Sequence, residues 1–342
     1  MSRPVFGFAL VGLVAVCAIC LVRTAAGIDA YQILDAALCS DLLTDYSGDV
    51  CIREGHALKA RYKITHIHPD RDYIEYSYPR GPGLIVVRGK GGAARLESSS
   101  GALFSVPEMG TGALSVAADL IRANYRVKVL GNEYVAGRLT THLRVTSRYG
   151  SPISREFWID AEKRLVLCSR ESDRMGKVLY QEQFATVDFA PDTNGVCVWG
   201  TEPTTTQPAV PLARRVKPEQ LSKELGFSVS ESKRIPKGYV LMGTYLTECP
   251  RGCGAKAALS RYTDGLSSIS VFQTRHHGAK CDLDGPSALP IKAGQCLVIR
   301  SGRETMAVVQ KMGTHVIAVG ALPANILSGV ADTVPVAKDA AG

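Results

Sequence analysis

The sequence has no nucleophile elbow, no Walker loop and no HExxH segment, and Gly89, Gly91 and Gly92 lack the spacing of a dinucleotide-binding turn. These absences remove the familiar signatures of hydrolases, nucleotide enzymes and zinc proteases, so we expect a non-enzymatic protein with no cofactor. Metal ligation is equally thin. His66 and His68 share one face of a strand pattern without a third ligand, and Cys249 and Cys253 form a CxxxC spacing with no matching His/Cys pair. Ser267 and Ser268 stand near Asp264 within one turn, but neighbours in a turn do not make a catalytic triad. No Lys/Arg block marks a nucleic-acid surface, and nucleic acid is not an expected partner. Aromatic residues are only 7% of the chain, while 33 Gly and 17 Pro suit many turns and short strands better than a helical bundle.

What is present begins with an apolar run from Val5 to Val22, flanked by Arg3 and Arg23 and followed by Thr24, Ala25 and Ala26 before Gly27. Small residues at the −3 and −1 positions make this a secretory signal peptide over residues 1–26, the alternative being an uncleaved anchor, since the run approaches the ~20 residues of a spanning helix. Cleavage leaves eight of ten cysteines: Cys39, Cys51, Cys168 and Cys197 in one half, and Cys249, Cys253, Cys281 and Cys296 in the other. Export and even numbers favour disulfides closed within each half. Connectivity is open; proximity favours Cys39 with Cys51, Cys168 with Cys197, Cys281 with Cys296 and Cys249 with Cys253. Losing Arg3 and Arg23 lowers the formal charge from +8 to +6, a mild basic excess suited to anionic lipid headgroups or an acidic protein segment.

At 342 residues the chain has room for two ordinary domains. Residues Ile153 to Phe189 read as a three-strand antiparallel meander: Ser154–Ile159, Leu165–Cys168 and Val178–Phe189, separated by polar turns. Before it, Asp29–Leu43 and Thr111–Asn124 have helical periodicity, the second with Leu114, Ala117, Leu120 and Ile121 on its apolar stripe. Asp45-Tyr46-Ser47-Gly48 reads as a turn. Leu58–His68 alternates sharply, and further strands are expected at Tyr73–Tyr78, Leu84–Arg88, Arg95–Ser98, Leu103–Val106, Tyr125–Leu130 and Leu139–Val145. About ten strands under two helices form a sheet large enough to curl into a barrel or half-barrel. The Thr/Pro-rich stretch Thr201 to Pro211 is the clearest linker. Beyond it, helices at Pro218–Leu225 and Ala324–Ala331 flank six strands, from Tyr239 to Val319, in a compact α+β module. The expected domains are 27–200 and 217–334, with a linker at 201–216 and a tail at 335–342.

Several segments are similar to the RseB/MucB family of periplasmic sigma-factor regulators. In the first domain these are Lys63-Ile64-Thr65-His66, Tyr134-Val135-Ala136-Gly137-Arg138, and Phe157-Trp158-Ile159-Asp160 followed by Leu165-Val166-Leu167, which also resemble, more loosely, the lipoprotein carrier LolA. In the second they are Ile235-Pro236-Lys237-Gly238-Tyr239, the run from Tyr262 through Asp264, Gly265, Leu266 and Ser267 to Phe272, and Val319-Gly320-Ala321-Leu322-Pro323. The eight mature cysteines depart from the usual pattern.

The resemblance implies a mainly antiparallel α+β protein, with a LolA-like half-open β-barrel covered by helices and then a smaller α+β domain. It also implies binding to the periplasmic segment of a membrane anti-sigma factor, protection of that segment from proteolysis, and release by a lipid, with an anionic lipopolysaccharide-like amphiphile as the expected ligand. Self-association stays open. Alternation makes Ile64, Phe157, Ile159, Leu165 and Leu167 candidates for a lipid-cavity face, the alternative being a filled core. Tyr262, Asp264, Gly265 and Leu266 are the candidates for partner contact. The other reading is a periplasmic lipoprotein or lipid carrier of LolA type, which needs only the first domain.

Overall fold

In a computed structural model, residues 29–69, 71–78, 85–88, 95–96, 111–192, 214–249, 255–275, 296–301 and 304–336 are described. The expected signal peptide, residues 201–213 of the expected linker and residues 337–342 of the expected tail lie outside them, as do the strand expected at Leu103–Val106 and Cys197, Cys253 and Cys281. No helix among the described residues is long and apolar enough to cross a membrane.

The chain opens with α1 (Ala30–Leu38), capped by the Asp29 carboxylate, which accepts from the Tyr31 amide. Five strands follow: β1 (Tyr46–Glu54), β2 (Ala57–Ile67), β3 (Arg71–Tyr78), β4 (Ile85–Arg88) and β5 (Arg95–Leu96). Next come α2 (Thr111–Asn124), β6 (Tyr125–Val135), β7 (Arg138–Ser147), β8 (Ser154–Asp160), β9 (Val166–Ser172) and β10 (Val178–Phe184). All ten strands form one antiparallel sheet in the order β5-β4-β3-β2-β1-β10-β9-β8-β7-β6. No pairing joins β5 to β6, so the sheet stays open, with β1 pairing β10 to join the N-terminal strands to the meander.

The turn expected at Asp45–Gly48 is instead the start of β1. Gly48 is there for close approach: a Cβ at this position would lie 2.2 Å from the Thr186 carbonyl oxygen and 2.8 Å from the Phe184 ring. The last strand of the meander ends at Phe184, not Phe189, although an isolated bridge pairs Ser47 with Asp188 further on.

Two apolar clusters hold this sheet. Ile33, Leu34 and Ala37 of α1 and Ile121 of α2 pack on Tyr125, Leu143, Val145 and Ile159. Leu34, Ile121, Leu143 and Ile159 are wholly buried, each stabilising the fold by about 1.5–3 kcal/mol. The second cluster is built from strands and their connections without a described helix: Tyr46, Val50, Tyr62, Ile64, Ile74, Val135, Trp158, Leu165, Leu167, Cys168 and Phe184.

The C-terminal part has its own seven-stranded antiparallel sheet, ordered β11-β12-β13-β14-β17-β16-β15. Its elements are β11 (Arg214–Arg215), α3 (Pro218–Leu225), β12 (Val240–Glu248), β13 (Lys256–Thr263), β14 (Ser268–Arg275), β15 (Cys296–Ser301), β16 (Glu304–Lys311), β17 (Thr314–Gly320) and α4 (Ala324–Asp332). Pro218 starts α3 where no intrahelical amide is needed, and Gly226 ends it in a left-handed conformation. Leu327, Val330 and Ala331 of α4 cover Val271, Ala307, Val316 and Ala318, while Leu221 of α3 packs on Ala258.

Candidate functional site

The five candidates for a lipid face do not share one lining. Ile64, Leu165 and Leu167 belong to the cluster without a described helix, whereas Phe157 and Ile159 pack in the cluster under α1 and α2. The reason is a register shift between β8 and β9: Trp158 faces Cys168, but Ile159 faces Val166, leaving Leu167 without a direct partner. A one-residue slip sends alternate side chains to opposite faces, so Val166 takes the place beside Ile159 that simple alternation assigns to its neighbours.

Of the four candidates for partner contact, Asp264, Gly265 and Leu266 lie together at a seam between the two sheets, while Tyr262 is buried in the second sheet's own core under α4. Tyr262, Asp264 and Gly265 are buried and Leu266 is partly buried, packed against the α1/α2 cluster of the first sheet. The β13–β14 turn is pre-shaped by its own hydrogen bonds. The Asp264 carboxylate accepts from the amides of Leu266 (3.0 Å) and Ser267 (2.7 Å), while the Thr263 hydroxyl donates to the Ser267 carbonyl (2.8 Å) and accepts from the Gly265 amide (3.1 Å).

The first sheet meets this turn with the end of α2 and the starts of β6 and β8. The Asn124 amide donates to the carbonyls of Gly238 (2.7 Å) and Asp264 (2.9 Å), and the Tyr125 hydroxyl donates to the Asp264 carboxylate. Arg155 donates from Nε to Glu171 (2.9 Å) and from Nη2 to the Ser267 hydroxyl (2.6 Å), with Arg155 and Glu171 both 7% exposed. Burial disfavours the charged guanidinium; the Glu171 carboxylate, with Tyr125 and Asp264, more than offsets it and raises its pKa. The Tyr125 and Tyr239 phenols are pushed above their usual range, first by burial and then by the Asp264 carboxylate.

Among the other sequence candidates, His66 and His68 turn to separate carboxylates. His66 is buried, 2.6 Å from Asp72 and stacked on Tyr46, and His68 is 2.6 Å from Asp45. No group of three His, Cys, Asp or Glu side chains suited to a metal occurs among the described residues. Cys39 and Cys51 are free thiols, so the expected Cys39–Cys51 bond is not formed; Cys168 and Cys296 are also free thiols among the described residues, and their expected partners Cys197 and Cys281 lie outside these. Cys168 is separated from Cys51 by β10, with Gln183 between them in register. Strands two apart are about 9–10 Å from each other, too far for a disulfide. Burial pushes the Cys168 thiol up to about 12. Cys249 is buried, and its expected partner Cys253 lies outside the described residues.

Sequence reasoning missed Asn124, Tyr125, Arg155 and Glu171. One signal was available: Arg155 has the same parity as Phe157 and Ile159, so a charge stands on the core-facing row of β8, directly opposite Glu171 of β9.

The comparisons with known proteins agree with this architecture. Residues 86–211 match the family model of the MucB/RseB N-terminal domain. The structure of MucB in complex with MucA(peri) is similar at a TM-score of 0.57 and 19% identity, covering 90% of this chain and 98% of that one. The complex of Pseudomonas aeruginosa MucA and MucB gives 0.59 and 20%, covering 90% and 99%, and MucB alone gives 0.56 and 18%, covering 90% and 98%. No curated protein matches in sequence. Residues 86–211 thus carry the sequence of a MucB/RseB N-terminal domain, and the fold of the chain is similar to that of MucB across both sheets.

Proposed function

We propose that this protein is an exported, non-enzymatic regulator that binds the periplasmic segment of a membrane anti-sigma factor, shields it from proteolysis, and releases it when an anionic amphiphile binds. One observation carries the reading: the likeness to MucB, seen with and without MucA, extends over both sheets and nearly all of MucB, whereas a lipid carrier needs only the first. The domains in this reading are residues 27–200 and 217–334, joined by the linker at 201–216.

Acyl chains are assigned to the side of Ile64, Leu165 and Leu167, whose cluster has no described helix over it. Phe157 and Ile159 are already packed under α1 and α2 and serve as core. Asp264, Gly265 and Leu266 are covered by the seam, so a partner reaches them only if the sheets part, and Tyr262 serves as core of the second sheet. An amphiphile acts on partner binding to the extent that it prefers one arrangement of the sheets over the other. A preference of about 1.4 kcal/mol changes partner affinity tenfold.

The test is cleavage of the anti-sigma periplasmic segment by a site-specific protease, with and without the mature protein. Protection that disappears on adding a soluble lipid-A-like amphiphile is the expected result. Cleavage at the same rate with and without the protein would overturn the reading.

A further inference from the structure

β6 is a free edge of the first sheet. It pairs β7 on one side and no strand on the other among the described residues, and every residue from Lys128 to Tyr134 is exposed. The helices leave this stretch clear, because α1 and α2 pack over the other end of β6, at Tyr125 and Val127. Unpaired amides and carbonyls along such an edge accept an extended chain as a further strand.

Charge selects which chain fits. Leu143 and Val145 of β7 turn toward α1 and α2, so Arg144 between them turns to the opposite face of the sheet. On that face one row of side chains crosses the strands: Lys128 stands opposite Arg144, Arg144 opposite Glu156, Glu156 opposite Arg170, and Arg170 opposite Gln181. Glu156 is 2.7 Å from Arg144 and 3.7 Å from Arg170. Charges therefore alternate along the row until its last position, where Lys128 meets Arg144 and forms no ion pair of its own among the described residues. Like charges directly opposite are unfavourable. Arg126, two residues before Lys128 on the same face and also exposed, adds to the positive excess. A strand added to β6 with an acidic residue opposite Lys128 restores the alternation.

The other face of the same edge is apolar. Val129 is 41% exposed, and Tyr134 and Leu139, opposite each other across β6 and β7, are 76% and 43% exposed. An incoming strand with apolar side chains on this face and a carboxylate on the other matches both sides of the edge. A second copy of the chain does not supply that carboxylate from its own β6. The one acid there, Glu133, accepts from Trp158 Nε1 (2.9 Å) and lies 2.9 Å from His142 Nδ1. The register shift between Val129 and Gly131, together with Lys128, hinders indiscriminate pairing of edges.

We propose that β6 is a strand-addition site for an extended amphipathic peptide segment that places a carboxylate opposite Lys128. The assignment rests on this chain's own residues and is independent of the anti-sigma reading. It is tested by hydrogen exchange and affinity measurements on the intact mature protein at low salt. The probes are blocked heptapeptides of alternating Val and Thr in which the central Thr is replaced by Glu, Gln or Lys.

The Glu peptide is expected to slow amide exchange across residues 128–134 and to bind about fivefold more tightly than the Gln peptide. Lys128→Glu changes an exposed side chain and gives Arg144 an opposite charge, so the fold survives; it should reverse the order in favour of the Lys peptide. Equal binding of the Glu and Gln peptides, or an order unchanged by Lys128→Glu, would overturn the proposal. So would protection confined to another edge such as β15, or slowing of β6 exchange by raised protein concentration without any peptide.

Discussion

Gly265→Ala isolates the seam between the two sheets. Gly265 has φ +102°, and a Cβ at this position would lie 2.8 Å from the Ala117 carbonyl oxygen and 2.9 Å from both the Ile121 amide nitrogen and its Cγ1. Two of these atoms are backbone of α2 and cannot swing aside. The substitution has two consequences that act on different equilibria. Backbone strain at this φ, about 1–3 kcal/mol, is present whether or not the turn touches α2 and so lowers the stability of the second domain alone. Overlap with α2, about 1–3 kcal/mol for overpacking, exists only in the docked arrangement, and it shifts docking toward separation by roughly 5- to 150-fold.

Hydrogen exchange at Leu266 and Ser267, with X-ray scattering for overall extension, reads this directly. Faster exchange at the turn and at Asn124 and Tyr125, with a larger radius and a second sheet still protected at Val271 and Ala318, is the expected outcome. Unchanged protection and radius would refute the steric reasoning. Gly238→Ala is the comparison with similar backbone strain (φ +91°) but a different overlap, because its Cβ meets the side chains of Asn124 and Tyr149 in place of helix backbone.

Three further outcomes follow from buried polar groups. Arg155→Met takes the guanidinium away from the buried Glu171 and should destabilise the protein by about 3–5 kcal/mol, whereas the Arg155→Met/Glu171→Leu pair should recover much of that in denaturant unfolding. Asp160 has a depressed pKa: burial opposes ionisation, but hydrogen bonds from Arg138 and from the Lys163 and Glu162 amides outweigh it. Its contribution is therefore complete above the usual carboxylate value of about 3.9 and lost as pH falls through the lower folded value. Asp160→Asn should cost about 1.5–3 kcal/mol at pH 7 and flatten acid unfolding below pH 4. Cys296, exposed, should alkylate in the native protein at pH 8, while Cys168, with its thiol raised to about 12, should react only on unfolding; mass spectrometry of the labelled chain checks both.

Much of the first sheet was legible because its strands alternate. β2 shows this best, with Tyr62, Ile64 and His66 buried and Arg61 and Lys63 exposed, and the meander of β8, β9 and β10 has polar turns at both joins. The start of β1 was hidden because Ser47-Gly48 looks like a turn when the reason for the glycine, contact with Thr186 and Phe184, lies more than a hundred residues away. The lipid-face set divides between two clusters at a single bulge, which alternation cannot reveal. The Cys39–Cys51 pairing failed because proximity in sequence does not report that Cys39 ends a helix while Cys51 sits mid-strand. The partner-contact set marked a segment with a definite structural place, but packing between two independently patterned sheets leaves no periodic trace. Its only local signs are the Asp264-Gly265 turn and an inward-pointing Arg155.

The most direct measurement is titration of a fluorescently labelled anti-sigma periplasmic segment with the mature protein, read by anisotropy, with and without the lipid-A-like amphiphile, in the wild type and in Gly265→Ala. The account predicts saturable binding to the wild type, at least tenfold weakening by the amphiphile, and an altered affinity in Gly265→Ala with less response to the amphiphile. No binding by the wild type, or binding indifferent to both the amphiphile and the seam substitution, would contradict it.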